Sequence, residues 1–206
     1  GDGASDVLQA CSNEINTLEQ RLSRTIETSS VAQLNANGSA QLDDDTAALL
    51  QAALQYSAET GGTFDVTIAP LVELWGITGD APRVPAQSEI DALLPLVGSE
   101  HVHLEGTAAA LDEGCAIDLG GIAEGYASDK TAELFAGSGI FGGFVSLGGN
   151  VYVHGVTAEG QPWNVAIQDP RNTEAYACTL RLSDAFVVTS GGYQRFFTGP
   201  DGTVYQ

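Results

Sequence analysis

The chain has 206 residues, of which 43% are hydrophobic, and this is enough apolar material for one large core or for one domain with a smaller lobe. Its 27 acidic residues against seven basic ones give a formal charge of −20 at pH 7. This charge argues against nucleic acid and anionic membrane surfaces as partners. A phosphate-bearing ligand would need a cation, a helix N-terminus or backbone amides to offset the charge.

The first part of the chain is predicted to be helical. Ser5 is the expected N-cap of a first helix, and a polar stretch at residues 25–37 follows that helix. A second helix is expected to begin after the acidic run Asp43–Asp45 and to end at Gly61-Gly62. The apolar residues that recur at helical spacing in the first helix are Leu8, Cys11, Ile15, Leu18 and Leu22.

Short strands and one long helix are predicted for the second part. A short helix is expected to start at Ser88, with Asp91 as its capping acid, and to be disturbed by Pro95. A longer helix fits Ile122–Phe135, and Asp201-Gly202 predicts a hairpin turn. Strands are predicted at residues 101–104, 109–112, 116–118, 144–147, 151–154, 163–168, 177–182 and 186–189. Helices first and strands later, without strict alternation, predict an α+β fold.

The cysteines and histidines give little indication of a metal site. Cys11, Cys115 and Cys178 are far apart and show no C-x-x-C spacing, which argues against zinc. One disulfide with a leftover thiol and three reduced cysteines are both compatible with this spacing. His101 and His103 share one face of a predicted strand, but nothing nearby marks a third ligand. A solvated edge strand is therefore the preferred interpretation of the two histidines.

The most informative segment is AIDLGGIAEGY, at residues 116–126. An apolar strand is predicted to end at Asp118, pass through Gly120-Gly121 and enter a helix. Glycine lets a ligand approach the backbone closely, and a helix start offers unpaired N–H groups to a phosphate. Asp118 could hydrogen-bond a ligand ring or ribose, or it could cap the helix. The local pattern leaves both interpretations open.

Three other segments contain glycine-rich turns. Residues 61–76 join a helix C-cap to an apolar stretch, and residues 146–150 and 189–195 have the composition of turns. Taken singly, each is more typical of a loop than of a site, and Phe64 and Trp75 are more typical of a core. The sequence has no P-loop, no nucleophile elbow and no strict G-x-G-x-x-G.

Taken together and in order, these segments resemble the ApbE family of FAD:protein FMN transferases. DLGGIAEGYASD at residues 118–129 is similar to the family's central motif. FDVTIAPLVELWG at residues 64–76 is similar to a motif that comes earlier in the family's sequences. The turns at residues 146–150 and 189–195, and PWNVAIQDP at residues 162–170, match in order and spacing. The resemblance covers nearly the whole of residues 1–206. It implies a T-fold-like α+β core of antiparallel sheets with packed helices.

The resemblance implies an enzyme that binds FAD, uses Mg²⁺ and transfers the FMN half to a threonine or serine hydroxyl of a partner flavoprotein, releasing AMP. A divalent cation is also what pyrophosphate cleavage on an acidic protein needs. Gly121 matches a metal ligand, for which only its backbone carbonyl could serve. The residues that match the family's FAD contacts are Thr63, Phe64, Asp65, Asp118 and Glu124.

The sequence departs from the family pattern in three places. Thr25 stands where the family usually has an aromatic residue against the flavin. The family's N-terminal strand with its M-G-T turn is expected before residue 1. Its H-x-I-D-P segment, histidine and the Asp and Thr of the metal site are expected after residue 206. The chain is thus expected to be a catalytically incomplete core, truncated at both ends. The resemblance also implies an extracytoplasmic protein, anchored by a lipid on a preceding segment.

Two alternatives to the transferase stay open. One is a flavin carrier that keeps the pocket but lacks the metal site. Thr25 motivates it, and so does the lack of the family's C-terminal metal ligands among residues 1–206. The other is Mg²⁺-dependent hydrolysis of FAD to FMN and AMP, in which water replaces the protein hydroxyl.

Overall fold

The computed structural model describes residues 2–77, 79, 81–191 and 196–205. The chain divides into two compact units. We call Thr17–Ala123 with Phe196–Gln206 the helix-rich unit, and Gly1–Asn16 with Glu124–Arg195 the strand-rich unit. Among the described residues, no helix is both long and apolar enough to cross a membrane.

The elements follow a mixed order that confirms the predicted α+β class. The described helices are α1 (Asp2–Leu22), α2 (Ser30–Asn37), α3 (Asp44–Glu59), α4 (Ala69–Trp75), α5 (Gln87–Leu93) and α6 (Gly120–Ser138). Short 3-10 helices occupy Val66–Ile68, Leu94–Leu96 and Ser99–His101. The described strands are β1 (Ser39–Gln41), β2 (Val102–Glu105), β3 (Ala108–Leu111), β4 (Gly142–Leu147), β5 (Asn150–Gly155), β6 (Trp163–Asp169), β7 (Asn172–Leu182), β8 (Ala185–Val188), β9 (Phe197–Thr198) and β10 (Val204–Tyr205).

Helix α1 follows the predicted apolar pattern in part. Cys11, Leu18 and Leu22 are buried, whereas Leu8 is 56% exposed. The predicted N-cap is wrong, because α1 already begins at Asp2 and Ser5 lies within it as an exposed residue. A serine inside a helix is tolerated when its side chain faces solvent.

Helix α2 was not predicted, since it lies in the polar stretch at residues 25–37. It forms because Ser29 is an N-cap whose hydroxyl accepts the Ala32 N–H at 2.9 Å. Val31 and Leu34, three residues apart, are both completely buried. A cap and two well-placed apolar residues are therefore enough for a two-turn helix in a polar segment.

Helix α3 confirms the prediction made from its acidic start. Asp43 is the N-cap, and its Oδ1 accepts the Thr46 N–H at 3.1 Å. The helix ends at Glu59, just before Gly61-Gly62, and it buries Leu50 and Ala53 completely.

Helix α5 exists as predicted, but its capping residue was assigned wrongly. The helix begins at Gln87, and Glu89, not Asp91, accepts the backbone N–H of Ala86 at 2.8 Å. Asp91 instead accepts a hydrogen bond from the Gln87 side chain at 2.7 Å. Pro95 lies in the 3-10 helix that follows, which fits its inability to continue an α-helix.

The helix-rich unit contains two small antiparallel sheets. One has the strand order β1-β3-β2, and the other is the β9–β10 hairpin, which confirms the turn predicted at Asp201-Gly202. The hairpin packs by ring contacts, since Tyr205 lies 5.5 Å from Trp75 and 5.3 Å from Phe197 between ring centroids. Trp75 is thus a packing residue, as its sequence context indicates.

The strand-rich unit contains the β4-β5-β8 sheet and the β6–β7 hairpin, both antiparallel. Its hydrophobic cluster is built from Cys11, Phe135 and Tyr152. The buried residues of the helix-rich unit are more numerous and include Leu34, Leu50, Val66, Ile117 and Leu119.

All three cysteines are free. Cys11 and Cys115 are buried and Cys178 is exposed. Burial raises the pKa of the Cys11 and Cys115 thiols, which keeps both protonated and unreactive. The structure therefore agrees with three reduced cysteines and not with a disulfide.

Candidate functional site

The segment that precedes α6 is not a strand, so the strand predicted at residues 116–118 is wrong. The side-chain amide of Asn35 donates to the Ile117 carbonyl at 2.9 Å and accepts the Ile117 N–H at 2.8 Å. The next N–H, that of Asp118, donates to the Val66 carbonyl at 2.7 Å. One side chain and one carbonyl of the 3-10 helix Val66–Ile68 thus take the place of a neighbouring strand.

Asp118 has a partner on each carboxylate oxygen. Oδ1 accepts the Gly120 N–H at 2.8 Å, so Asp118 caps the start of α6. Oδ2 accepts the Nε–H of Arg24, also at 2.8 Å. Arg24 makes a second ion pair, at 3.2 Å, with Oε1 of Glu73. The capping interpretation thus holds, while the predicted contact between Asp118 and FAD stays a prediction.

The start of α6 offers fewer unpaired N–H groups than the sequence indicates. The Gly120 N–H is taken by Asp118, and the Ile122 and Ala123 N–H groups donate to the Leu119 carbonyl at 3.0 and 2.8 Å. The expectation of a phosphate site is wrong for these three groups. The Asp118 carboxylate already offsets the partial positive charge at the N-terminus of α6.

Asp65, another predicted FAD contact, caps the 3-10 helix Val66–Ile68. Its Oδ1 accepts the N–H and the hydroxyl of Thr67 at 2.9 and 2.6 Å. Its Oδ2 accepts the Ser57 hydroxyl at 3.2 Å. Asp65 is therefore held rigidly beside α3 by three hydrogen bonds.

Thr63 and Phe64 form a turn after α3. The Thr63 hydroxyl donates to the Thr60 carbonyl at 2.9 Å, and the Phe64 N–H donates to the Thr60 hydroxyl at 3.1 Å. The Phe64 ring is half-buried, and its Cε2 would lie 3.2 Å from a Cβ built on Gly121. The structure thus brings the predicted flavin-contacting stretch against the start of α6. A glycine at position 121 permits this close approach.

Glu124 belongs to the strand-rich unit, where it meets a second glycine pair. A Cβ built on Gly148 would lie 3.1 Å from Oε1 of Glu124, so the carboxylate covers the turn between β4 and β5. The carbonyl of the next residue, Gly149, accepts the Thr189 N–H at 3.0 Å. Glu124 and two of the matched turns are therefore neighbours. The end of the last turn, Gly192–Arg195, lies outside the described residues.

The predicted metal ligand, Gly121, lies in the first turn of α6. A helical carbonyl is normally the acceptor for the N–H four residues later, so a metal ion would have to share it. No cluster of three or more His, Cys, Asp or Glu side chains suited to a metal ion occurs within the described ranges. These residues alone do not fit a complete Mg²⁺ site, and Gly121 as a ligand stays a prediction.

The two histidines considered in the sequence share one carboxylate. Oδ2 of Asp112 accepts the Nδ1–H of His101 at 2.9 Å, and its Oδ1 accepts the Nε2–H of His103 at 2.8 Å. The hydrogen bond to Asp112 is the main cause that raises the pKa of His101, and the same contact lowers the pKa of Asp112. His103 lies on β2, an edge strand, which agrees with the prediction of a solvated edge.

Sequence reasoning did not identify Arg24 or Asn35. Arg24 could have been noticed because it is one of only seven basic residues in a chain of charge −20. It directly precedes Thr25, which is exposed and whose hydroxyl lies 3.0 Å from that of Ser23. No local pattern marks Asn35, since its partner Ile117 is 82 residues away.

The curated relatives with similar sequences share the name FAD:protein FMN transferase. The chain is 33% identical to the FAD:protein FMN transferase of Treponema pallidum over 225 residues, which cover 98% of this chain and 62% of that protein. It is 35% identical to the Salmonella typhimurium FAD:protein FMN transferase over 157 residues, which cover 72% of this chain and 45% of that one. The chain thus spans about half to two thirds of the length of these relatives.

Solved structures agree with the sequence comparisons. The ApbE protein of Thermotoga maritima superposes with a TM-score of 0.91 at 33% identity, covering 98% of this chain and 67% of that one. The apo form of the Pseudomonas stutzeri flavinyl transferase ApbE gives a TM-score of 0.85 at 29% identity, with 98% and 65% covered. The sequence profile described as "ApbE family" matches residues 3–206. This chain therefore belongs to the ApbE family.

Proposed function

We propose that this protein transfers FMN from FAD to a threonine or serine hydroxyl of a partner flavoprotein, with Mg²⁺ as cofactor and AMP as leaving group. The observation that carries the proposal is the family match over residues 3–206, together with relatives named FAD:protein FMN transferase. In this reaction the hydroxyl oxygen forms a bond to the FMN phosphorus. The bond from that phosphorus to the bridging oxygen breaks, AMP departs with that oxygen, and the hydroxyl proton passes to solvent water.

The geometry of the helix-rich unit supports flavin binding by two adjoining segments. Phe64 lies against Gly121. Asp65 directly follows Phe64, and Asp118 lies three residues before Gly121. Hydrogen bonds fix the carboxylates of both aspartates. Carboxylates held in one orientation can accept hydrogen bonds from a ligand without first losing conformational freedom. We assign these residues, with Thr63, to flavin binding. For Glu124, which lies in the strand-rich unit, the proposed FAD contact rests on the family resemblance.

Mg²⁺, when bound, would screen the pyrophosphate charges and stabilise the AMP leaving group. The described side chains do not assemble a metal cluster, so we derive no step of the reaction from them. The ligand role of the Gly121 carbonyl is part of the proposal and needs further ligands to be complete.

The proposal is tested with the full-length protein, FAD, Mg²⁺ and an acceptor domain that carries the target threonine. We expect a fluorescent acceptor band that survives denaturing electrophoresis, with one AMP released for each flavin attached. The matched control is the same acceptor with the target threonine replaced by valine, which should give no band. Free FMN and AMP without a labelled acceptor would indicate hydrolysis instead. Tight FAD binding with no product from any acceptor would indicate a carrier.

We also propose that the full-length protein is extracytoplasmic and held at the membrane by a lipid. The family resemblance is the only support for this location. Fractionation of cells that produce the full-length protein tests it, since a lipid-anchored protein should sediment with membranes and be released by detergent but not by high salt.

A further inference from the structure

We infer that Arg24 is a positioning residue for flavin binding, which acts by fixing the carboxylate of Asp118 at the start of α6. The inference rests on the proposed function, in which Asp118 contacts FAD. Arg24 itself is assigned no contact with the flavin.

The geometry gives Arg24 two carboxylate partners. Its Nε–H donates to Asp118 Oδ2 at 2.8 Å, and its Nη1 lies 3.2 Å from Glu73 Oε1. The side chains of Arg24 and Asp118 are only 11% and 20% exposed, whereas that of Glu73 is 67% exposed. The short contact to Asp118 is thus the more shielded of the two, and a shielded charge-assisted hydrogen bond is strong.

The contact fixes the direction of the carboxylate. Asp118 Oδ1 already accepts the Gly120 N–H, and a second contact at Oδ2 further limits rotation about the last side-chain bond. Arg24 supplies that second contact from a segment 94 residues earlier in the chain. A ligand group that hydrogen-bonds to Asp118 then meets a carboxylate in one orientation, which lowers the entropy lost on binding.

Arg24 also offsets the negative charges of Asp118 and Glu73 near the start of α6. Asp118 and Glu73 both approach one guanidinium, in a chain whose formal charge is −20. Without the guanidinium these two carboxylates would repel each other and any phosphate-bearing ligand nearby. A lysine would keep the charge, but its single ammonium group lacks the planar fork that contacts two carboxylates in fixed directions.

The test measures FAD affinity of the full-length protein by quenching of flavin fluorescence, with a melting curve for each variant. Arg24→Gln should weaken FAD binding about tenfold, as expected when a charged hydrogen-bond partner is removed. The matched control is Arg21→Gln, which removes the same charge from a side chain paired with Asp43 and Asp45. It should leave FAD affinity unchanged. Arg24→Lys should weaken binding about threefold.

A double-mutant cycle distinguishes positioning from direct contact. If Arg24 acts through Asp118, Arg24→Gln should have no further effect on FAD affinity in a protein that already carries Asp118→Asn. Independent effects that multiply in the double variant would overturn the inference, because Arg24 would then act without Asp118.

Two other results would also overturn it. One is a lower melting temperature for Arg24→Gln or Arg24→Lys with wild-type FAD affinity, which would make the ion pair purely structural. The other is equal loss of affinity in Arg21→Gln and Arg24→Gln, which would make net charge the cause. If Arg24→Gln does not fold, the FAD affinity of Arg24→Lys, which keeps the charge, provides the test: about threefold weaker binding supports the inference and wild-type affinity overturns it. A wild-type protein that does not bind FAD would instead contradict the proposed function itself.

Discussion

The tripeptide Leu-Gly-Gly occurs at residues 119–121 and again at residues 147–149, with two different structures. In the first copy, Leu119 is buried, Gly120 begins α6, and neither glycine has a left-handed φ. In the second copy, the glycines form the two-residue turn between β4 and β5, and Gly148 has a φ of +61°. The same three residues thus begin a helix in one place and reverse a strand in the other.

The residues around each copy explain the difference. The first copy follows the capping carboxylate of Asp118 and precedes Ile122-Ala123-Glu124, which suits a helix. The second precedes Asn150-Val151-Tyr152-Val153, whose β-branched and aromatic residues suit a strand. A glycine pair permits both conformations, and its neighbours select one.

The largest effect is expected at the second copy. A Cβ built on Gly149 would lie 2.8 Å from the Thr189 carbonyl oxygen, a backbone atom that cannot move independently of β8. Gly149→Ala should therefore lower the free energy of unfolding by about 2–3 kcal/mol, the upper part of the usual range for overpacking. Urea denaturation measures this change. Wild-type stability in Gly149→Ala would show that the turn adapts and that the close approach is unimportant.

The next largest effect should come from the support of the first copy. Asn35→Ala removes both side-chain hydrogen bonds to the Ile117 backbone and should cost about 2 kcal/mol of unfolding free energy. Asn37→Ala is the matched control in the same helix, because its exposed amide donates only to the neighbouring Gln33 side chain. Equal effects of the two substitutions in urea denaturation would refute a special role for Asn35.

Gly121→Ala should separate stability from binding. The new Cβ would lie 3.2 Å from Phe64 Cε2, so the ring must shift by a few tenths of an ångström. The gain in helix propensity opposes this strain, and the net change in stability should stay within about 1 kcal/mol. FAD affinity should nevertheless fall severalfold if Phe64 and Gly121 border the flavin. Unchanged affinity in a flavin titration would remove Gly121 from the site.

The smallest effect, and one of opposite sign, is expected at Gly125, in the next turn of α6. A Cβ there meets no atom within 4 Å, and φ is not left-handed. Gly125→Ala should therefore raise the free energy of unfolding by about 0.5–1 kcal/mol. A lower melting temperature for this variant would mean that α6 tolerates no side chain at that position, and would weaken the comparison with Gly149.

Elements with complete local signals were predictable from the sequence. Helix α3 has an acidic N-cap and a glycine pair after its end, and the β9–β10 hairpin has an Asp-Gly turn. Helix α2 was missed because its apolar content is small and its cap, Ser29, lies in a polar stretch. The strand predicted at residues 116–118 was wrong because its partner is the Asn35 side chain and not another strand.

The candidate site was predictable as a set of segments, but not as a set of contacts. The glycine pairs and the residues Asp65 and Asp118 stand out locally. Their partners do not, since Arg24 pairs with a carboxylate 94 residues away. Ion pairs and side-chain clamps between distant segments are products of the tertiary structure, and a single sequence does not indicate them.

We propose that the start of α6 binds FAD, and Asp118→Ala tests this proposal most directly. FAD titration by fluorescence quenching, with a melting curve for each protein, measures affinity and stability together. We expect FAD binding to weaken by about 1–3 kcal/mol, the loss typical of a partnered polar group. Stability should fall by about 1 kcal/mol as well, because Asp118 also caps the helix. A destabilised variant with wild-type FAD affinity would contradict the claim.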